Sequence, residues 1–155
     1  MTTAVVLSDS HGHRSAVARI APLFEENDLI IFLGDGVGDL YAAQTQYPEK
    51  TYLCRGNNDF SGGAYEWVIE EDGCRIYCCH GHRLGVKHGL ERLAQEAKEH
   101  GCEIALYGHT HRAAIDLVDG VLCINPGAIG SFADASYCYL VLYKGKATPT
   151  IVPLA

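Results

Sequence analysis

The N-terminal stretch AVVLSDSHGH, residues 4–13, has four apolar residues in succession and then changes abruptly to serine, aspartate, glycine and histidine. A short continuous apolar run is typical of a strand that is buried on both faces, and the polar residues after it indicate a loop at the strand's carboxyl end. The same pattern returns four times, at residues 29–33, 51–54, 76–79 and 104–107. The sequence therefore predicts five core strands, and the loops that follow them contain aspartate, asparagine or histidine.

Segments of helical period lie between these strands. Apolar residues at positions 17, 20, 21 and 24 predict a helix that ends near Asn27, and those at 90, 93, 94 and 97 predict a second that stops at Gly101. A shorter third helix is expected to start around Leu40 and to end before Pro48. After His111 the apolar segments 113–117, 121–124, 137–143 and 148–152 are separated by turn signals, which is typical of antiparallel hairpins.

The order of these elements predicts the fold class. Strand–helix alternation followed by a β-rich segment favours an α/β (α+β) fold, a four-layer α-β-β-α sandwich of two mixed sheets flanked by helices. The chain has 155 residues, of which 48% are hydrophobic and 20% are charged. Because this length and composition suit one globular core, we expect a single domain over residues 1–155.

Composition and charge exclude several classes of protein. No apolar stretch approaches the roughly 20 residues of a membrane span, and the N-terminus does not resemble a secretory signal. The net charge is -7 and the basic residues form no cluster, so the sequence predicts no basic surface that would bind a nucleic-acid backbone. The seven cysteines contain no CxxC pair, and we interpret them as buried, reduced side chains of a cytoplasmic protein. The sequence leaves the oligomeric state open.

Ligand-type side chains follow each predicted strand. In α/β sheets, ligands bind outside the carboxyl ends of the strands, so these side chains are expected to meet at one rim. Carboxylate, amide and imidazole without thiolate suit manganese, which we expect here, and also nickel, cobalt, iron or zinc. Seven ligands exceed the number that one ion takes, which predicts two divalent ions sharing a carboxylate. The predicted ligands are Asp9, His11, Asp35, Asn57, His80, His109 and His111.

The ordered motifs resemble a known family. They are Asp9-x-His11, Gly34-Asp35, Gly56-Asn57-x-Asp59, His80-Gly81 and Gly108-His109-x-His111. Together they resemble the blocks of the calcineurin-like metallophosphoesterase superfamily, in its small single-domain phosphodiesterase branch from bacteria and archaea. The resemblance implies a phosphate-ester substrate that is attacked by a hydroxide bridging the two metals. It assigns one ion to Asp9, His11 and His111, a second ion to Asn57, His80 and His109, and the bridge to Asp35.

One position departs from the family pattern. Many members have histidine directly after the ligand asparagine, whereas this chain has Asn58. An amide donates a hydrogen bond to a phosphoryl oxygen but supplies no proton to a leaving alkoxide, which favours diesters or good leaving groups as substrates. His13 and His82 are candidate substitutes, and Asp59 resembles the acidic residue that supports the ligands.

These observations predict a dimetal-dependent phosphoesterase, and we favour a phosphodiesterase. A phosphomonoesterase or a nucleotide pyrophosphatase would use the same centre. A catalytically inactive, protein-binding scaffold is a further alternative, because one retromer subunit resembles these phosphodiesterases. Outside the motifs, we interpret His88 and His100 as surface residues, and Cys78 and Cys79 as the two faces of one buried strand.

Overall fold

Two five-stranded sheets form the centre of the molecule in the computed structural model, which describes residues 1–154. The strands, in chain order, are β1 Thr2–Leu7, β2 Leu29–Phe32, β3 Thr51–Leu53, β4 Glu66–Glu71, β5 Cys74–Cys79, β6 Ile104–Leu106, β7 Ala114–Val118, β8 Val121–Asn125, β9 Ser136–Tyr143 and β10 Lys146–Pro153. The first sheet has the order β10-β9-β1-β2-β3 and the second has the order β4-β5-β6-β8-β7. Each sheet is mixed, because its parallel strands β1-β2-β3 or β5-β6-β8 are flanked by antiparallel ones.

Helices cover the outer face of each sheet. They are α1 Arg14–Ile20, α2 Pro22–Glu26, α3 Tyr41–Gln46 and α4 Glu91–Glu99, and short 3-10 turns lie at Val37–Leu40 and His82–Leu84. Along β1 the side chains alternate, so that Val6 packs between the sheets while Val5 packs against α1 and α2. Leu93 of α4 packs on the second sheet. The four-layer α-β-β-α sandwich predicted from the sequence is therefore confirmed.

The cysteines are part of these cores. All seven are free and buried. Cys78 packs between the two sheets, and Cys79 packs against α4 on the outer face of β5. The interpretation of this pair as opposite faces of one buried strand is confirmed.

Two elements differ from the sequence prediction. The expected helix through residues 17–24 is divided into α1 and α2 at Ala21, because Pro22 has no N–H to continue the hydrogen-bond ladder and begins a new helix instead. Strand β4 was not predicted, since Glu66–Glu71 exposes half of its residues and buries only Ile69. It is a strand because it pairs along its length with β5 across the Asp72-Gly73 turn.

The described helices are all short. Within residues 1–154, none has the length and apolar character needed to cross a membrane.

Candidate metal centre

Six of the seven predicted ligands meet at the carboxyl ends of the parallel strands. They form two groups, in each of which one ligand atom per residue lies within 4.8 Å of the others. The first group consists of Asp9, His11 and His111, and the second group consists of Asp35, His80 and His109. The loops after β1, β2, β5 and β6 supply all six, so the convergence expected from the strand pattern occurs.

Asp9 is the buried centre of the first group. Its carboxylate is completely buried, and one oxygen, Oδ2, accepts hydrogen bonds from the Ser8 hydroxyl at 2.5 Å and the His109 backbone N–H at 3.1 Å. The other oxygen, Oδ1, has no hydrogen-bond partner. It lies 3.1 Å from Nε2 of His111 and 3.4 Å from Nε2 of His11, both of which are exposed at the mouth.

His80 is the buried centre of the second group. Its Nδ1 is 2.7 Å from the Leu33 carbonyl oxygen, and since a carbonyl only accepts, Nδ1 carries the proton. Nε2 therefore faces the group, 3.3 Å from Oδ2 of Asp35 and 3.1 Å from Nδ1 of His109. An imidazole that donates its other N–H to a backbone carbonyl is the usual arrangement of a metal-ligating histidine.

Asp35 lies between the two groups. Its Oδ2, 3.3 Å from His80, is also 3.8 Å from Nε2 of His11 in the first group. Burial raises the pKa of the Asp35 carboxyl, but the adjacent His80 and the hydrogen bonds from Asn58 outweigh this effect and hold that pKa well below its usual range. Burial and the neighbouring His80 lower the pKa of His109 to about 4. At neutral pH these two residues therefore have the protonation states in which carboxylates and imidazoles bind metals.

The donor set fits divalent metal ions. A buried carboxylate oxygen without a partner costs free energy, and a cation is the partner that its charge requires. The nitrogens beside it belong to imidazoles, which together with carboxylate suit first-row transition metals. The two exposed histidines leave the first group open to small molecules.

The ligand loops have unusual backbone conformations. Positive φ is uncommon outside glycine, and such conformations persist only where the surrounding structure imposes them. Backbone hydrogen bonds impose them here, for example from Asp9 N–H to the Gly34 carbonyl at 2.9 Å. The ligands with positive φ are Asp9 (56°), His11 (45°), Asp35 (62°), His109 (71°) and His111 (64°).

Two glycines allow the close approach of the ligand loops. A Cβ on Gly56 would overlap the Asp35 carboxylate, and one on Gly108 would overlap the Ser8 hydroxyl next to Asp9. Both positions therefore exclude larger residues for a steric reason.

Asp59 holds in place the loop after β2, which contains Asp35. Its Oδ2 accepts the backbone N–H groups of Asp35 and Gly56, both at 2.8 Å, and its Oδ1 accepts those of Gly36 and Val37, both at 3.0 Å. A carboxylate that accepts four backbone donors fixes the path of the chain around it.

The two asparagines beside Asp59 are exposed. Asn58 donates to Asp35 twice, from its backbone N–H to Oδ1 at 2.8 Å and from its side-chain amide to Oδ2 at 3.0 Å. This amide is therefore turned toward the carboxylate. Asn57, the seventh predicted ligand, precedes it on the same loop and is not a member of either group.

His13 and His82, the candidate substitutes for a histidine at position 58, lie beside the metal centre. His13 and His82 are half-buried, and in each of them Nδ1 is buried without a hydrogen-bond partner. The His82 ring is 5.4 Å from the His80 ring between centroids. Burial and the nearby His80 lower the pKa of His82. Of the two histidines interpreted as surface residues, His88 is exposed, whereas His100 is half-buried against Tyr77.

Sequence reasoning missed Asp39 as a supporting residue and missed the contact that Asn125 makes. Asp39 accepts hydrogen bonds from Ser10 at 2.6 Å and from the Gly12 N–H at 2.8 Å, which ties the first ligand loop to the second. Asn125 donates from its side chain to the Gly108 carbonyl at 3.1 Å. Neither residue has a sequence signal for these contacts, since the partners are 17 to 29 positions away.

Comparison with known proteins gives consistent results. The family model for the calcineurin-like phosphoesterase superfamily domain matches residues 1–146. The probable metallophosphoesterase YsnB of Bacillus subtilis is 35% identical over 151 residues, which cover 93% of this chain and 86% of that protein. Phosphodiesterase MJ0936 of Methanocaldococcus jannaschii is 26% identical over 140 residues, 79% of this chain and 81% of that protein.

The fold is also found in solved structures. A crystal structure of Vps29 from Entamoeba histolytica, complexed with zinc, has a TM-score of 0.75 at 20% identity and covers 99% of both chains. At this level of sequence identity, the similarity shows only that the two proteins share a fold. From the family match over almost its full length, the chain belongs to the calcineurin-like phosphoesterase superfamily and to its small bacterial and archaeal branch.

Proposed function

We propose that this metallophosphoesterase is a dimetal-dependent phosphodiesterase of one domain, residues 1–155, the last of which lies outside the described part of the chain. The observation that carries the proposal is the unpartnered, buried Oδ1 of Asp9 among histidine nitrogens, next to an equivalent group around Asp35. Free, buried thiols favour the cytoplasm as its location.

The proposed ligands follow the two groups. Asp9, His11 and His111 would hold one ion, and His80, His109 and Asn57 would hold the other. Asp35 would bridge them, which its approach to histidines of both groups supports. Bound divalent ions would supply Lewis-acid polarisation of the phosphoryl group and activation of water. Manganese is the proposed ion, with nickel, cobalt, iron and zinc as alternatives.

The surrounding residues would position the reactants. Asp59 would orient the Asp35 loop through its four hydrogen bonds, and Asn58 would hold the Asp35 carboxylate. Nδ1 of both His13 and His82 is buried, so the other ring nitrogen, Nε2, would exchange hydrogen bonds with phosphoryl oxygens or with the leaving alcohol.

Diesters are the favoured substrates because of position 58. A monoester with a poor leaving group needs a proton at the departing oxygen, and an amide supplies none. The relative from Methanocaldococcus jannaschii is named a phosphodiesterase, which agrees with this preference.

The test uses protein that has been stripped of metal and refilled separately with manganese, nickel, cobalt or zinc. Hydrolysis of matched phosphate mono- and diesters and of a nucleoside pyrophosphate is measured, together with metal content by elemental analysis. We expect two ions per chain, hydrolysis that chelation abolishes, and higher kcat/KM for diesters. Undiminished turnover after exhaustive chelation would contradict the metal-dependent mechanism, and a preference for monoesters or nucleoside pyrophosphates would favour the alternative enzymes.

A protein-binding scaffold is the second candidate, because the fold is also that of Vps29. The presence of both complete groups of ligand side chains favours the enzyme. Protein that holds two ions per chain but hydrolyses none of the esters would support the scaffold.

A further inference from the structure

Two cavities adjoin the metal centre, one beside each ligand group. The first, which we name the Tyr65 cavity, has a volume of about 310 Å³ and is lined by Tyr65, Glu66, Tyr77, Glu96, His82 and the second-group ligand His80. The second, the Phe132 cavity, has a volume of about 640 Å³ and is lined by Phe132, Ala133, Ala135, Ile151, Leu154 and the first-group ligand His111. A diester has two substituents on one phosphorus atom, so a diester at the metal centre has one cavity for each substituent.

The Phe132 cavity has an apolar wall beside polar residues, among them Arg19, Arg112 and Asp134. Phe132 is 97% exposed, and its ring packs edge-on against His13 with 5.3 Å between centroids. Ile151 and Leu154 complete the wall. Burying a planar apolar group against a phenyl ring gains the hydrophobic free energy of both surfaces and an aromatic contact. This wall suits an aromatic substituent.

The Tyr65 cavity has an acceptor-rich wall. Glu66 and Glu96 present carboxylates to it, and Glu66 accepts the Tyr77 hydroxyl at 2.5 Å. The Arg83 guanidinium also lines the cavity and lies over the Tyr65 ring, 4.4 Å from the centroid. His100 also lies beside both carboxylates, with Nε2 3.4 Å from Glu66 and Nδ1 3.8 Å from Glu96. The remaining acceptor positions of the two carboxylates, beside aromatic rings, suit a group that is cationic or donates hydrogen bonds.

We propose that the substrate is an unsymmetrical diester, whose aromatic substituent occupies the Phe132 cavity and whose amine-bearing substituent occupies the Tyr65 cavity. The proposal rests on the proposed phosphodiesterase function and gives its substrate class. It also assigns specificity to Phe132 and Glu66, neither of which belongs to the ligand groups.

The kinetic test compares two substrates that differ in one group, 4-nitrophenyl 2-aminoethyl phosphate and 4-nitrophenyl ethyl phosphate. Water forms the new bond to phosphorus, the aryl P–O bond breaks and 4-nitrophenolate leaves, so both substrates give the same signal. Wild-type enzyme should prefer the aminoethyl diester. Glu66→Gln should reduce this preference about fivefold, because a carbonyl replaces a charged acceptor. Phe132→Ala should raise KM about tenfold for both diesters without changing the preference.

Matched variants control for general effects. Glu70→Gln removes an exposed carboxylate from the same strand as Glu66 but outside the cavity, where it pairs with Arg75 at 3.3 Å. Phe60→Ala removes a phenylalanine that is 99% exposed and lines neither cavity. Neither control should change KM or the preference. Equal effects of the control and test variants, or a wild-type enzyme without a preference, would overturn the proposal.

A binding measurement separates this proposal from the proposed function. Diphenyl phosphate added to the protein as purified should shift the backbone amide resonances of Ala133 and Ala135, and Phe132→Ala should abolish these shifts. Shifts confined to other regions, or unchanged by the substitution, would refute the assignment of the cavity. If no diester is hydrolysed in any metal, the phosphodiesterase function fails, whereas normal hydrolysis with unaltered KM in Phe132→Ala leaves that function intact and rejects only the substituent sites.

Discussion

Replacing Asp59 by asparagine tests whether one carboxylate holds the second ligand loop. The carboxylate accepts four backbone N–H groups, two on each oxygen. In Asp59→Asn one oxygen becomes an NH2 group, which faces two donors whichever way the amide is turned. The variant loses two hydrogen bonds to a charged acceptor. Each contributes about 1.5 kcal/mol to stability, since the site is partly hydrated, so the free energy of unfolding should fall by about 3 kcal/mol.

Urea unfolding of the metal-free protein measures this loss directly. For a chain of this length, about 3 kcal/mol corresponds to a fall in Tm of about 9 °C. Metal content should fall as well, since the Asp35 N–H loses its partner in one orientation of the amide. Asp28→Asn is the matched control, because Asp28 accepts a single backbone N–H, from Thr3 at 2.8 Å, which the amide oxygen still accepts. An Asp59→Asn protein as stable as this control, with unchanged metal content, would refute the reasoning.

Three further predictions concern metal binding, pH and substrate preference. Asp35→Ala should lose both ions by elemental analysis, whereas His88→Ala should retain two, and two ions in the Asp35 variant would contradict the bridge. The hydrogen bond to the Glu96 carbonyl raises the pKa of His100 in the folded protein. The charged His100 side chain therefore stabilises the fold fully below its unfolded pKa of about 6.5, and this stabilisation is lost as the pH rises through the folded pKa. In urea unfolding, His100→Gln should therefore destabilise the protein more at pH 6 than at pH 9, and an equal loss at both would contradict this. Asn58→His should raise the ratio of monoester to diester kcat/KM about 10²-fold at equal metal occupancy, and an unchanged ratio would mean that position 58 does not reach the leaving group.

The meeting of the ligands was predictable because they follow clearly marked strands. An apolar run such as residues 4–7 is buried on both faces, and parallel strands bring their carboxyl ends to one edge of the sheet. Asp9 and His109 are 100 positions apart in the chain, yet the His109 N–H donates to the Asp9 carboxylate. The pattern predicts which loops meet, but not the hydrogen bonds between them.

Features that depend on distant partners were not predictable. Strand β4 has three glutamates in six residues, and only its pairing with β5 makes it a strand. Asn58 has a side chain that is equally suited to phosphate or carboxylate, and the positions of both loops determine that it contacts Asp35. The four donors around Asp59 converge only after the chain has folded, so their number could not be counted from the sequence.

The geometry of the ligand groups links metal binding to the stability of the whole fold. Asp9 Oδ1 is buried without a hydrogen-bond partner in the protein, and five of the proposed ligands adopt left-handed backbone conformations. Both features cost free energy, of the order of 1–3 kcal/mol for each strained or unpaired group. An ion that binds only the folded state offsets these costs by an amount that grows with its concentration relative to Kd. We therefore expect the ligand loops to be the least stable part of the metal-free protein. In the metal-loaded protein we expect these loops to unfold only together with the rest of the fold.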